Sequence, residues 1–156
     1  MPTPTPFSEI AWGFFRDVGL LLGRLLAAWS IVIFHAWGEA IAGYRHFFGP
    51  REGWSLSVEI SRAGLPAALP LAVALTVALW AVAVAFALGL LTRVAALVLV
   101  LISAVVPVVI AIDQVQESSA AYAAVALILL FAGAGRISLD GMIRSRRIPK
   151  PQPKYR

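Results

Sequence analysis

From Val18 to Gly43 the chain reads VGLLLGRLLAAWSIVIFHAWGEAIAG, an almost wholly apolar stretch that nevertheless carries Arg24, His35 and Glu39. It is long enough to cross a bilayer as a helix. A charged side chain in hydrocarbon costs at least about 2–3 kcal/mol, so such groups turn toward protein or a wet cavity. At about 100° per residue, Arg24, Ala28, Ile31, His35 and Glu39 fall on one narrow face of that helix. The face therefore needs other helices to shield it, which makes this segment the one around which the remaining apolar segments pack. Gly19 and Gly23 form a small-xxx-small step of the kind that lets another helix approach closely.

Three further apolar runs supply the shielding: Leu69–Leu91, Val94–Ile112 and about Ala120–Ala134. Across the 156 residues, 60% are hydrophobic and 13% charged, with a mean hydropathy of +0.86. Soluble domains carry about 45–50% apolar and about 25% charged residues, so this excess, gathered into runs, predicts an integral membrane protein. The length suits one domain. Glu9 and Asp17 precede the first run, a pattern unlike a cleavable signal peptide, so the first helix is expected to be retained. Cysteine is absent, which excludes disulfides, thiolate metal sites and iron–sulfur ligation by this chain's own residues. The net charge of +5 lies mostly in the C-terminal tail and does not point to nucleic acid.

Residues 1–17 read as a leader: a Thr-Pro tract, then Phe7 to Asp17 as an interfacial lead-in rich in aromatics, with Thr5 as a helix cap and Pro6 at the first helical position. Between helices one and two, Tyr44 to Leu65 is the one sizeable polar stretch. Its residues Ser55 to Ala63 suit a short amphipathic helix, with Leu56, Ile60 and Ala63 on one side, lying on the membrane surface or lidding the bundle. Pro66 and Pro70 bracket the start of helix two. Gly89 to Arg93 makes a tight turn, so helices two and three are antiparallel neighbours. Pro107 predicts a kink in helix three. Asp113 to Glu117 reads as a turn, with Ser118 or Ser119 capping helix four, which is expected to extend through Arg136. Residues 144–156 form a basic, proline-rich tail attracted to anionic lipid heads. The fold expected is all-α: four transmembrane helices over residues 18–143, with an interfacial segment between the first and second. Arg16, Arg93, Arg136 and the tail lie on one side, which places both termini in the cytoplasm.

Gly133-Ala134-Gly135-Arg136-Ile137-Ser138-Leu139-Asp140 resembles the Gly-Pro-Gly-Arg-Tyr-Ser-Leu-Asp signature that closes the last helix in the DoxX family. Gly89-Leu90-Leu91-Thr92-Arg93 resembles that family's turn between helices two and three. Arg24 and Phe34-His35 sit where its first helix has an arginine and a Phe-His-Gly step. The resemblance covers roughly residues 18 to 143. It implies a small four-helix protein of the bacterial cytoplasmic membrane. Some members are subunits of thiosulfate:quinone oxidoreductase or are described as quinol-oxidase subunits. Ala36 stands where the family has glycine, Glu39 where it commonly has lysine, and Leu79 about where many members carry a glutamate in helix two. A family charge pair between helices one and two is therefore absent or rebuilt.

Three readings follow. The chain is an accessory integral subunit of an electron-transfer or respiratory-type membrane complex, not catalytic alone, with membrane lipids and other integral subunits as its partners. Alternatively it is a quinone-binding oxidoreductase subunit whose pocket is lined by Arg24, His35 and Glu39. In the third, it is a pigment or haem scaffold with His35 as axial ligand to a haem or chlorophyll-type metal. The plainer reading of His35 is a packed histidine bonded to a helix carbonyl or to Glu39 one turn away. Arg24 either holds an anion or reaches the cytoplasmic interface. Arg93, Arg136, Arg144, Arg146 and Arg147 are candidates for lipid or anion contact, or ordinary positive-inside anchors. Asp140 caps a C-terminal turn or pairs with Arg136. No hydrolase triad, phosphate loop or metal-spaced cluster appears.

Overall fold

α-Helices account for most of the described chain, and Gly49, Gly89 and Gly133 each follow directly on the end of one. The computed structural model describes residues 6–49, 53–109, 113–133, 135 and 137–147. A continuous rod comprises α1 (Pro6–Ile31), a π-helical segment (Val32–Ala36) and α2 (Trp37–Phe48). After it come α3 (Ser55–Arg62), α4 (Ala68–Leu88), α5 (Thr92–Val109), α6 (Asp113–Ala132) and α7 (Leu139–Arg147). Among the described residues there is no strand. Two helices are long and apolar enough to cross a membrane, Ala11–Phe48 with 38 residues and Ala68–Leu88 with 21. Shorter apolar stretches run over Thr92–Pro107 in α5 and Ser119–Ala132 in α6.

The rod packs against α4 and α6, α4 against α5, and α5 most extensively against α6. One core cluster joins Ala27, Ala28, Ile31 and Ala36 of the rod to Val82, Ala83 and Phe86 of α4, Ala95, Ala96 and Leu99 of α5, and Ala126 and Leu129 of α6. Alanine dominates this list because its small side chain lets helix backbones come close. Large apolar residues point outward instead, among them Trp29, Phe34, Val77, Leu101, Ile128 and Phe131. A second cluster forms where α3 covers α4: Trp54, Ile60 and Ala72 are buried there, with Leu56 against them, while Ala63 is exposed. The short amphipathic segment therefore lids the end of the helices.

Several boundaries differ from the sequence reading. The rod already begins at Pro6, so no separate lead-in breaks it. Between Phe7 and Asp17 only Gly13 disfavours helix, and one glycine costs only about 1 kcal/mol. At about 1.5 Å per residue the 38-residue apolar part alone measures about 57 Å, well beyond a bilayer core. α6 begins at Asp113, so Ser118 and Ser119 lie inside the helix and are not its caps. An acidic residue at the first helical position, Asp113, suits the helix dipole. α6 ends at Ala132, not beyond Arg136, because Gly133 turns left-handed at φ +76°. The basic tail is helical as far as Arg147. Pro107 lies within the last turn of α5. Around a Cβ placed at Gly19 or Gly23 there is open space, so no helix of the described chain uses that step. The Thr5 cap and the tail beyond Arg147 lie outside the described residues.

Candidate functional site

Arg24, His35 and Glu39 of the rod go to three separate places. At the end where the α4–α5 turn meets the α6–α7 loop, Arg24 is 1% exposed and donates from Nη2 to the Ile137 carbonyl at 2.7 Å. Asp140 attracts it electrostatically. Asp140 itself ties two loops together. Its backbone N–H donates to the Gly89 carbonyl at 3.1 Å, and its carboxylate accepts from Leu91 N–H at 3.0 Å and Thr92 N–H at 3.1 Å. A carboxylate on the first amides of α5 satisfies otherwise orphaned donors and opposes the positive end of the helix dipole. Asp140 thus caps α5, across the fold; the expected local turn cap belongs to Ser138. Ser138 Oγ accepts from Gly141 N–H at 2.9 Å and donates to the Gly135 carbonyl at 2.8 Å. Among the described residues, Arg24 Nε and Nη1 and Thr92 Oγ1 are buried without a hydrogen-bond partner.

Gly89 makes this clasp possible. It is left-handed at φ +65°, and a Cβ there would collide with Arg24 Nη1 and stand 2.7 Å from Ser138 Cβ. The Arg93 guanidinium lies against Gly133, with Nε 3.5 Å from where a Cβ would be. The turn at 89–93 and the segment at 133–140, far apart in sequence, therefore meet over Arg24. Arg136 lies outside the described residues, and Arg144, Arg146 and Arg147 belong to the second half of α7.

Midway along the rod, the π turn changes which residues face inward. Ile31 is 1% exposed and Ala36 is 0% exposed. They are five residues apart, one π turn, and the Trp37 N–H bonds back to the Val32 carbonyl. In an uninterrupted α-helix His35 would continue the line from Ile31. The extra residue gives that place to Ala36 and moves His35 to the edge of the core, half-buried. The Ala36 carbonyl is met by Trp80 Nε1 from α4 at 3.2 Å. Tyr122 of α6 reaches across with its hydroxyl 2.7 Å from Ser30 Oγ and 3.5 Å from His35 Nδ1, its ring edge-on to the imidazole at 5.0 Å.

Glu39 does not pair with His35. Its Oε2 accepts from Trp54 Nε1 at 2.7 Å. The indole, 2% exposed, lies over Gly43, where a Cβ would come within 3.2 Å of the ring. The glycine thus gives a tryptophan from the polar linker room to seat against α2.

Sequence reasoning located Arg24, His35 and Glu39 but missed their partners Ile137, Tyr122 and Trp54. Tyr122 could have been noticed as the one aromatic hydroxyl inside an alanine-rich helix. Nothing local marks Trp54, whose role depends on the return of α3. No protein-family model matches the chain, and no curated protein or solved structure matches it.

Proposed function

We propose that this chain is an integral protein of the bacterial cytoplasmic membrane. In this reading the rod, α4, α5 and α6 form a four-helix transmembrane bundle with both termini in the cytoplasm. It serves as a non-catalytic accessory subunit of an electron-transfer or respiratory-type membrane assembly. The observation that carries this reading is the division of labour between inside and outside. Arg24, His35 and Glu39 each contact a group of the chain itself, Ile137, Tyr122 and Trp54. The outward surface of the long helices is apolar and aromatic, which suits lipid and the helices of other subunits. The electron-transfer assignment rests on the DoxX resemblance of residues 18–143. Purification from native membranes in mild detergent, after cross-linking, tests it. Redox subunits should co-elute in fixed ratio. A chain recovered alone, without cross-links, would refute the accessory role.

A second reading is favoured by His35. The π turn sets it at the edge of the core, flanked by the exposed Phe34 and Trp37, a place from which an imidazole can reach a quinone carbonyl. In that reading quinone co-purifies with the chain and is lost on His35→Ala.

A further inference from the structure

We infer that the end of the molecule formed by the α4–α5 turn and α7 is a foot that binds an anionic phospholipid surface, with α7 lying along it. This rests on the membrane reading above and adds a surface and a lipid class to it. In α7 the apolar residues Leu139, Met142 and Ile143 recur at i, i+3 and i+4 and are all exposed. That spacing puts them on one side of the helix. Arg144 falls on the other side, while Arg146 and Arg147 follow one turn beyond Met142 and Ile143, so the apolar stripe ends in basic residues. Short helices with an exposed apolar stripe bordered by basic residues lie in the headgroup layer, the apolar side toward the acyl chains and the long basic side chains reaching the headgroups.

The structure says where α7 is held. Asp140 N–H on the Gly89 carbonyl, the Asp140 carboxylate on Leu91 and Thr92, and Arg24 on Ile137 fasten its first turn to the end of the long helices. The same end exposes Ile137 and, at 61%, Leu91. Leu91 has a left-handed backbone at φ +49°, a conformation that L side chains disfavour and glycine adopts freely. A strained, exposed leucine gains nothing against water, but it gains burial at a bilayer surface. Arg93 follows two residues later and is exposed as well. Beyond α7 the chain continues with Lys150, Lys154 and Arg156 and no acidic residue. Basic segments beside a membrane are attracted by anionic lipids. A protein partner for this face would have to match cations scattered among leucines and isoleucines; a phosphate-bearing surface matches both at once.

The absence of native cysteine makes site-directed spin labelling direct. Phe131→Cys, Leu91→Cys and Ile143→Cys would be labelled one at a time in the full chain. Each would be placed in nanodiscs of phosphatidylcholine alone and of phosphatidylcholine with phosphatidylglycerol. Accessibility to oxygen and to a water-soluble nickel chelate would then be compared. The label at 131, on the outward side of α6, reports the membrane reading by itself and should be oxygen-accessible in both discs. Labels at 91 and 143 should lose nickel accessibility several-fold when phosphatidylglycerol is present, and replacing Arg144, Arg146 and Arg147 together by Gln should reverse the effect at 143. A water-accessible label at 131 would overturn the membrane reading. With 131 in lipid, three results would overturn the foot: 143 water-accessible in both discs, 143 equally lipid-embedded in both, or 143 shielded from both reagents in detergent, which would mean that protein covers it.

Discussion

Gly64 and Gly89 share a left-handed backbone, φ +76° and +65°, yet differ in their surroundings. An alanine at either pays the backbone term, about 1–2 kcal/mol. Around Gly64 nothing lies within 4 Å of the new methyl, so Gly64→Ala should cost no more than that. At Gly89 the methyl would stand 2.7 Å from Ser138 Cβ and collide with Arg24 Nη1. Ser138 is held by two hydrogen bonds, one accepted from Gly141 N–H at the start of α7 and one donated to the Gly135 carbonyl. Arg24 can withdraw only by giving up its bond to Ile137, a charged-group hydrogen bond contributing about 1.5–3 kcal/mol, or the loop must shift at the overpacking cost of about 1–3 kcal/mol. Gly89→Ala should therefore destabilise by about 2–5 kcal/mol and exceed Gly64→Ala by about 1–3 kcal/mol. The assay is unfolding of both variants in dodecyl maltoside titrated with sodium dodecyl sulfate, followed by circular dichroism. In an Arg24→Ala background the penalty of Gly89→Ala should shrink, because the main obstacle is gone. Equal losses for the two glycine variants, or an undiminished penalty in that background, would refute the clasp as the reason for glycine at 89.

Asp140→Ala removes the acceptor for Leu91 and Thr92 N–H and should cost about 1–2 kcal/mol in the same titration, with Asp140→Asn costing less. Glu39→Ala and Trp54→Phe each leave a partner unsatisfied, at about 1–3 kcal/mol apiece, and the double variant should lose less than their sum. By contrast, Glu39→Ala combined with His35→Leu should be additive, since those side chains have different partners; a coupled loss there would refute the assigned pairing. Tyr122→Phe and Ser30→Ala remove the two ends of one hydrogen bond and should couple by about 1 kcal/mol in a double-mutant cycle.

The helices of this chain are legible because each needs only local information: an apolar run, a breaker, a glycine. The boundary at Gly89, the start at Pro6 and the short helix over Ser55–Arg62 all follow from such signals. The α6 start was misplaced because serine and acidic residues favour both turns and first helical turns, and nothing in the local sequence separates the two cases. The buried stripe Arg24, Ala28, Ile31 was legible too. Its continuation was not, since a period of 3.6 residues cannot foresee a π turn. That turn is accommodated by Trp80, a side chain from another helix that meets the Ala36 carbonyl.

What the sequence by itself determined is the class of the protein. Long apolar runs, readable residue by residue, demand helices, and the glycines after them mark some of their ends, at Gly89 as expected. What only the tertiary structure decided is who meets whom: Arg24 with Ile137, Glu39 with Trp54, His35 with Tyr122. These partners are 113, 15 and 87 positions apart for Arg24–Ile137, Glu39–Trp54 and His35–Tyr122. A hydrogen bond depends on distances of a few tenths of an ångström, and those are set by how alanine-lined helices settle against one another. Periodicity in one segment carries no information about that settling.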